Sequence, residues 1–286
     1  MQKTPLIAVI LAVGLSCQAR AASPSGCLNN VVLTEDCVFN RPEVNLSLPD
    51  GFQLVTNGYK LDVRVRELEI HGSATISSFR FEPPVRGPKP SKAASGQPGV
   101  KGTAGAPGRA AGLINIVVVH SAKGRLSILN RGGDGSPGGP GGDGGDGYKG
   151  QPGEQAQSGI AWCTHGGGDG LAGGNGGDAG EGGVGGPGGV GGAVRIELLG
   201  RHSSFQMFYN VDAGRPGSGG AAGLAGSGGS GGEGGSGSGW CKAGSPGAYG
   251  QAGKAASPGA EGAMASAGSV AALPNDFVPH RISAPH

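Results

Sequence analysis

Apolar residues alternate with polar ones in only a few short stretches of this chain. Leu61, Val63 and Val65 alternate with charged residues, and Leu68, Ile70, Ile76 and Phe79 carry the pattern on towards Phe81. A second stretch joins Leu113 to Val118 with Arg125 to Leu129, and a third joins Val194 to Leu198 with Phe205 to Tyr209. A period of two, rich in Val, Ile and Phe, predicts β-strands. The breaks near Ser121 to Gly124 and around Gly200 predict turns, so each stretch reads as a β-hairpin.

Between these stretches a different period takes over. Glycine occupies every third position from Gly132 to Gly153, and from Gly167 to Gly191 with Ala179 standing in once. Gly214 to Gly235 keeps the phase without a miss, and Gly244 to Gly268 keeps it except at Ala256 and Ala265. A shorter run, Gly96 to Gly108, comes first. Period three is the turn of a polyproline II helix. It places all the glycines on one edge, where the missing side chain lets another backbone approach closely.

The two periods combine into an internal repeat of about 80 residues. Ile114-Asn115-Ile116 matches Val194-Arg195-Ile196, and Trp162-Cys163 matches Trp240-Cys241. Each unit runs apolar stretch, triplet run, Trp-Cys connection, second triplet run. Such order argues against a flexible Gly/Ser linker, which has no reason to hold phase over eight triplets. Collagen is the other alternative, and "GQPGVKGTAGAPGRA" looks like it. The later runs carry two glycines per triplet and little proline, and strands interrupt them, which disfavours a triple helix.

Composition sets the outer bounds. With 65 Gly and 20 Pro in 286 residues, an ordinary globular core can serve only part of the chain. The net charge of +2, with acids and bases interspersed, disfavours nucleic acid or a charged membrane surface as partner. Residues 1–21 read as a signal peptide, with Lys3, an apolar stretch from Leu6 to Leu15 and the small-x-small site Ala19-Arg20-Ala21. Lipoprotein processing at Cys17 is the rival to cleavage after Ala21. No later segment is apolar enough to span a bilayer. The expected location is secreted, periplasmic or cell-surface.

Four cysteines then remain, and in an exported chain an even number reads as disulfides. Three connectivities are open. Cys27–Cys37 as a local clip and Cys163–Cys241 as a long-range bridge is the favoured set. The repeat supports it. If each apolar stretch is a hairpin that returns to its starting end, both Trp-Cys connections lie at one tip. If each stretch crossed the molecule once, the two cysteines would lie at opposite ends, far beyond the roughly 7 Å that a disulfide spans. Closing a loop of about 78 residues stabilises by roughly 4.5 kcal/mol on the chain-entropy account.

The glycine runs over residues 87–270 resemble the Gly-rich helix bundles of springtail antifreeze proteins and the polyglycine-helix tip adhesins of phage tail fibres. The resemblance implies a single-chain bundle of polyproline II or polyglycine II helices. The residues themselves point the same way: two bare glycine edges per helix allow two close neighbours, and the third positions, Asp143, Asp146 and Lys149 in one run and Asp169, Asn175, Asp178 and Glu181 in the next, are expected to face outward to solvent. The antifreeze family implies ice binding through a flat face of small residues, and the phage adhesins imply receptor binding at the tip.

The predicted fold is therefore all-β and irregular: short β-hairpins stacked end-on with a polyproline II/polyglycine II bundle, locked by two disulfides. The expected domains are a signal peptide (1–21), a disulfide-clipped cap (22–56), a leading β segment (57–86), the hairpin-and-bundle repeat (87–270) and a flexible tail (271–286). The sequence carries no acid–base pair, nucleophile context, metal-ligand spacing or cofactor motif. The triplets "GGDGGDGYKG" lack the apolar position of calcium-binding repeats. The expectation is a monomeric, non-enzymatic structural or adhesive protein without cofactor. Its candidate binding residues are Trp162, Thr164, His165, Trp240 and Lys242 at the tip, facing a surface ligand, glycan or protein. Ice binding is the runner-up, and a collagen-like trimer the third reading. At the tip itself, the alternative is that both indoles pack on the disulfide and close the end.

Overall fold

The computed structural model describes residues 26–29, 31–80, 82–274 and 276–283. The expected signal peptide (1–21), Cys17 included, lies outside the described residues. A single 3-10 turn, Cys27–Asn29, is the only helical element among them. Strands β1 (Cys37–Leu48), β2 (Phe52–Val55), β3 (Leu61–Ser77) and β4 (Ile114–Leu129) come first. A small pair follows, β5 (Gln157–Ser158) and β6 (Cys163–His165). Then come β7 (Val194–Leu198), β8 (Arg201–Asn210), β9 (Val270–Leu273) and β10 (His280–Arg281). All but β5 and β6 belong to one sheet, in which every pairing is parallel.

The apolar stretches are not hairpins. Each is a strand, or two successive strands, folded into an arch and stacked in parallel on the next arch. Leu61 pairs with Ile114, and Ile114 with Val194; further on, Ile76 pairs with Ile128, and Ile128 with Tyr209. The register breaks at the bend, between Glu69 and Ser73, where Gly72 and Gly124 have φ of 87° and 100°. Past the bend the strand returns. Asn130, just after β4, donates its side-chain amide to the carbonyl of Gly112, just before it. The two arms of an arch thus face each other through side chains, and their hydrogen bonds run to neighbouring arches. Period two in the sequence defines which face is buried. It does not say whether a strand pairs with its own return arm or with the next repeat, and here the repeat supplies the partner.

The core lies between the arms. Val63, Ile116 and Ile196 occupy one register position in successive arches, and all are buried. Burying each such side chain contributes roughly 1.5–3 kcal/mol. Where the arches give way to glycine runs, a buried polar row takes over: Thr56, Ser78, Asn130 and Asn210, all at 2% exposure or less. Backbone bonds join Thr56 to Ser77, Ser78 to Leu129, and Asn130 to Asn210. Asn130 also bridges the carbonyls of Gly112 and Ala193, so it ties arch to arch at the corner.

The glycine runs are legs that leave the arches and come back. Outbound legs (132–153 and 214–235) and return legs (96–111, 167–191 and 244–268) form two layers. Within a layer, each leg bonds the next circuit in parallel: Gly135 to Arg215, Gly138 to Ser218, Gly141 to Ala221. Between layers the legs run antiparallel: Gly183 to Gly139, Gly186 to Ser136, Gly189 to Gly133. Among the described residues no glycine of 97–111, 132–153, 167–191, 214–235 or 244–268 has a positive φ. Glycine is there for space: a Cβ on Gly183 would sit 1.9 Å from the Thr103 carbonyl oxygen. On the last leg the ladder skips at Ala256: Gly253 bonds Gly226 and Gly259 bonds Gly220, with no backbone bond from Ala256 between them, whereas Ala179 on the leg before keeps its bond, to Lys254.

The expected stack of hairpins on a polyproline II bundle is corrected by these pairings. The regular secondary structure is a large parallel β-sheet, and no polyproline II bundle is part of it. Glycine phase reports close lateral packing, and parallel sheet pairing organises the circuits that carry it. Both expected disulfides are present, Cys27–Cys37 with Cα atoms 5.8 Å apart and Cys163–Cys241 with Cα atoms 4.8 Å apart.

Several third-position acids also differ from the solvated groups expected. They are acceptors for backbone amides of the next circuit. Asp134 receives the N–H of Arg215, Asp143 that of Leu224, Asp169 that of Ser245 and Asp178 that of Lys254, all at 2.6–2.8 Å. Asp146 receives both the N–H and the hydroxyl of Ser227 while pairing with Lys92. The Lys92 hydrogen bond, followed by those from Ser227, lowers its pKa from 3.8 to about 2. Asp143 is likewise lowered, first by Lys89 and then by the Leu224 amide.

Candidate functional site: the disulfide-linked tip

Two turns lie at the ends of the legs farthest from the arches. At no more than ~3.3–3.6 Å per residue, leg 132–153 places them up to roughly 75 Å from the sheet. In the first turn, β5 and β6 pair antiparallel, Gln157 opposite His165 and Ser158 opposite Cys163. Gly159 N–H donates to Trp162 C=O at 2.9 Å and closes the loop 159–162. In the second, Cys241 N–H donates to Ser238 C=O at 2.8 Å, and Gly239 supplies the φ of 53° that the turn requires. The Ser158 hydroxyl donates to Ser238 C=O, and the Cys163–Cys241 disulfide joins the turns beside that bond.

Each tryptophan directly precedes a bridged cysteine, so the disulfide brings the two backbones together. Neither indole is packed away: Trp162 is 65% exposed and Trp240 70%. The Trp162 ring lies over Gly159, where a Cβ would come within 3.3 Å of it. Thr164 and Lys242 are exposed on the same turns, and His165 faces Glu154 at 3.7 Å. Ile160, which the sequence reading did not single out, is 99% exposed on the crest of the first turn. Its signal was present, as an isolated large aliphatic residue in the polar, small-residue string "QSGIAWC".

A wide groove lies elsewhere, where the legs meet the arches. It encloses about 770 Å³ and is lined in part by Phe79, Arg80, Arg109, Leu129 and Arg131. Two of its cations are committed to structure. Arg109 clamps the side chain and carbonyl of Asn57 at 2.7 Å and stacks on Phe79, and Arg131 pairs with Asp134.

No protein-family model matches this chain, and no curated protein matches it. Among solved structures, a springtail antifreeze protein from Granisotoma rainieri, described as a nine polyproline type II helical bundle, aligns at 23% identity. The alignment covers 58% of this chain and 94% of that one, with a TM-score of 0.11. A score that low shows no shared fold. The expected resemblance to springtail antifreeze proteins and phage tip adhesins is corrected: the architecture is a large parallel β-sheet.

Proposed function

We propose that this chain is an exported, non-enzymatic structural or adhesive protein, a rod that presents its Trp-Cys tip for recognition. The observation that carries this reading is the exposure of Trp162 and Trp240 on turns held by a disulfide. Large aromatic side chains left in solvent on a cross-linked end suit binding better than plugging. The two disulfides are consistent with an extracellular or oxidising environment. No helix among the described residues is long and apolar enough to cross a membrane.

Two details weigh on the other readings. The glycine amides find acceptors within one chain, which favours a single-chain rod over a collagen-type trimer. The outer row of the last leg reads Ser245, Ala248, Gln251, Lys254, Ser257, Ala260, Ala263, Ser266, too irregular for an ice-matching face.

The test is attachment of the labelled full chain to intact cells and cell-wall preparations. Replacing both tryptophans, Trp162→Ala with Trp240→Ala, abolishes attachment if the tip is the recognition surface. Undiminished attachment by the doubly substituted chain rejects the reading.

A further inference from the structure

We propose that the tip takes a neutral saccharide, a pyranose ring lying against the indole of Trp162 or Trp240. The assignment rests on tip recognition and names its ligand class. A sugar ring presents an apolar C–H face edged by hydroxyls. An indole offers the complement, a flat apolar face with negative charge density and an N–H at its rim. Here two such faces stand on one cross-linked end.

The polar groups around them are of the kind that reads hydroxyls. Among the described residues, the Gln157 and Thr164 side chains and both indole N–H groups have no hydrogen-bond partner, and all lie on exposed residues. The Gln155 side-chain oxygen is used by Ser236 N–H, which leaves its amide donors to solvent. A few neutral donors and acceptors beside an apolar wall give orientation to an uncharged ligand.

Charge points the same way. Lys242 is the one Lys or Arg on these turns, and the Glu154 carboxylate stands beside His165 at 3.7 Å. Anionic lipid is recognised by clusters of several Lys and Arg, and the tip has none. The short strands β5 and β6 leave little edge for an added peptide strand.

The chain contains two tryptophans, and both are at the tip. Tryptophan emission of the full chain therefore reads this site alone. The probes are cello-, laminari-, chito- and manno-oligosaccharides, with phosphatidylglycerol/phosphatidylethanolamine vesicles as the competing arm. The expected result is a saturable change with at least one oligosaccharide and none with vesicles. In Trp162→Ala, with Trp240 as reporter, affinity falls about tenfold or more, and Trp162→Phe recovers part of it. An unchanged melting temperature and intact disulfides certify each variant as folded.

Silence with all four oligosaccharide classes overturns the assignment, as does a response to vesicles alone. The two levels fail separately. If cell attachment needs the tryptophans while the oligosaccharides stay silent, the saccharide assignment falls and tip recognition stands. If attachment ignores the tryptophans, tip recognition itself falls.

Discussion

The inner and outer legs of this molecule obey the same period and differ in how much glycine they need. Legs 132–153 and 167–191 carry two glycines in most triplets, whereas 96–111 and 244–268 carry one in nearly all. Inner legs meet backbone on two fronts. A Cβ on Gly138 would sit 2.0 Å from the Gly183 carbonyl oxygen, and one on Gly139 would meet Thr103 of the first circuit. On the last leg, the positions equivalent to the second glycine hold Pro246, Tyr249, Pro258, Glu261 and Met264. Among the described residues no further circuit lies beyond them, and their side chains project, with Tyr249 at 80% and Met264 at 88% exposure.

The relaxation is visible even within one leg. Gly133, Gly139, Gly142 and Gly145 face the short first circuit, which turns back at residues 94–97. Beyond that turn the same triplet position holds Tyr148, Gln151 and Glu154. With Ser136 as the exception, which bonds Ala106 of the first circuit, the second glycine follows where another leg lies alongside. Pro246 and Pro258 add to this. Proline has no N–H to give, and it occurs where a neighbouring acceptor is absent.

The sharpest way to break the comparison is to put a side chain on an inner leg. Gly183→Val drives carbon into the Thr103 carbonyl and is expected to cost about 3 kcal/mol or more, enough to prevent folding of the rod. Chemical denaturation, or failure to recover folded protein, reads this out. A variant as stable as the parent would show that the legs are not packed on backbone.

Acid probes the contacts between circuits more gently. Asp146 joins Lys92 of the first circuit to Ser227 of the third, and its pKa in the folded chain is lowered from 3.8 to about 2. The folded state therefore binds this proton less readily than the unfolded state. The stability gained is full above the unfolded value and drains away as pH falls through about 2. Melting temperature is expected to drop between pH 4 and pH 2, and Asp146→Asn to flatten that drop. An identical acid profile in the variant would remove Asp146 from the account.

The smallest effect belongs to the outer leg. Met264→Lys changes an 88% exposed side chain with open space beyond it, and stability should move by no more than ~0.5 kcal/mol. A large loss in a thermal melt would mean that this face is covered in solution.

Much of this was legible in residues. The strand-forming stretches stand out because Val63, Ile116 and Ile196 alternate with polar neighbours, and alternation is a local property. The disulfide at the tip followed from the repeat, since Trp162-Cys163 and Trp240-Cys241 occupy equal places in it. The tip residues Trp162 and Trp240 are legible as a pair because the repeat places them alike, whereas nothing in the repeat matches Ile160. The polar row Thr56, Ser78, Asn130 and Asn210 was also missed, because one buried polar residue per circuit has no short-range signature.

The sequence by itself determined the periods. Two-residue alternation set the buried face of each arch, and three-residue glycine phase set where backbones can touch, because both depend on side-chain size and direction along a single run. Pairing was decided by the tertiary structure. Whether an arch bonds to its own return arm or to the arch eighty residues on, as Ile114 does to Val194, depends on which backbone lies one strand spacing away. That is a property of the whole circuit, closed by the corner at Asn130 and the bridge at the tip.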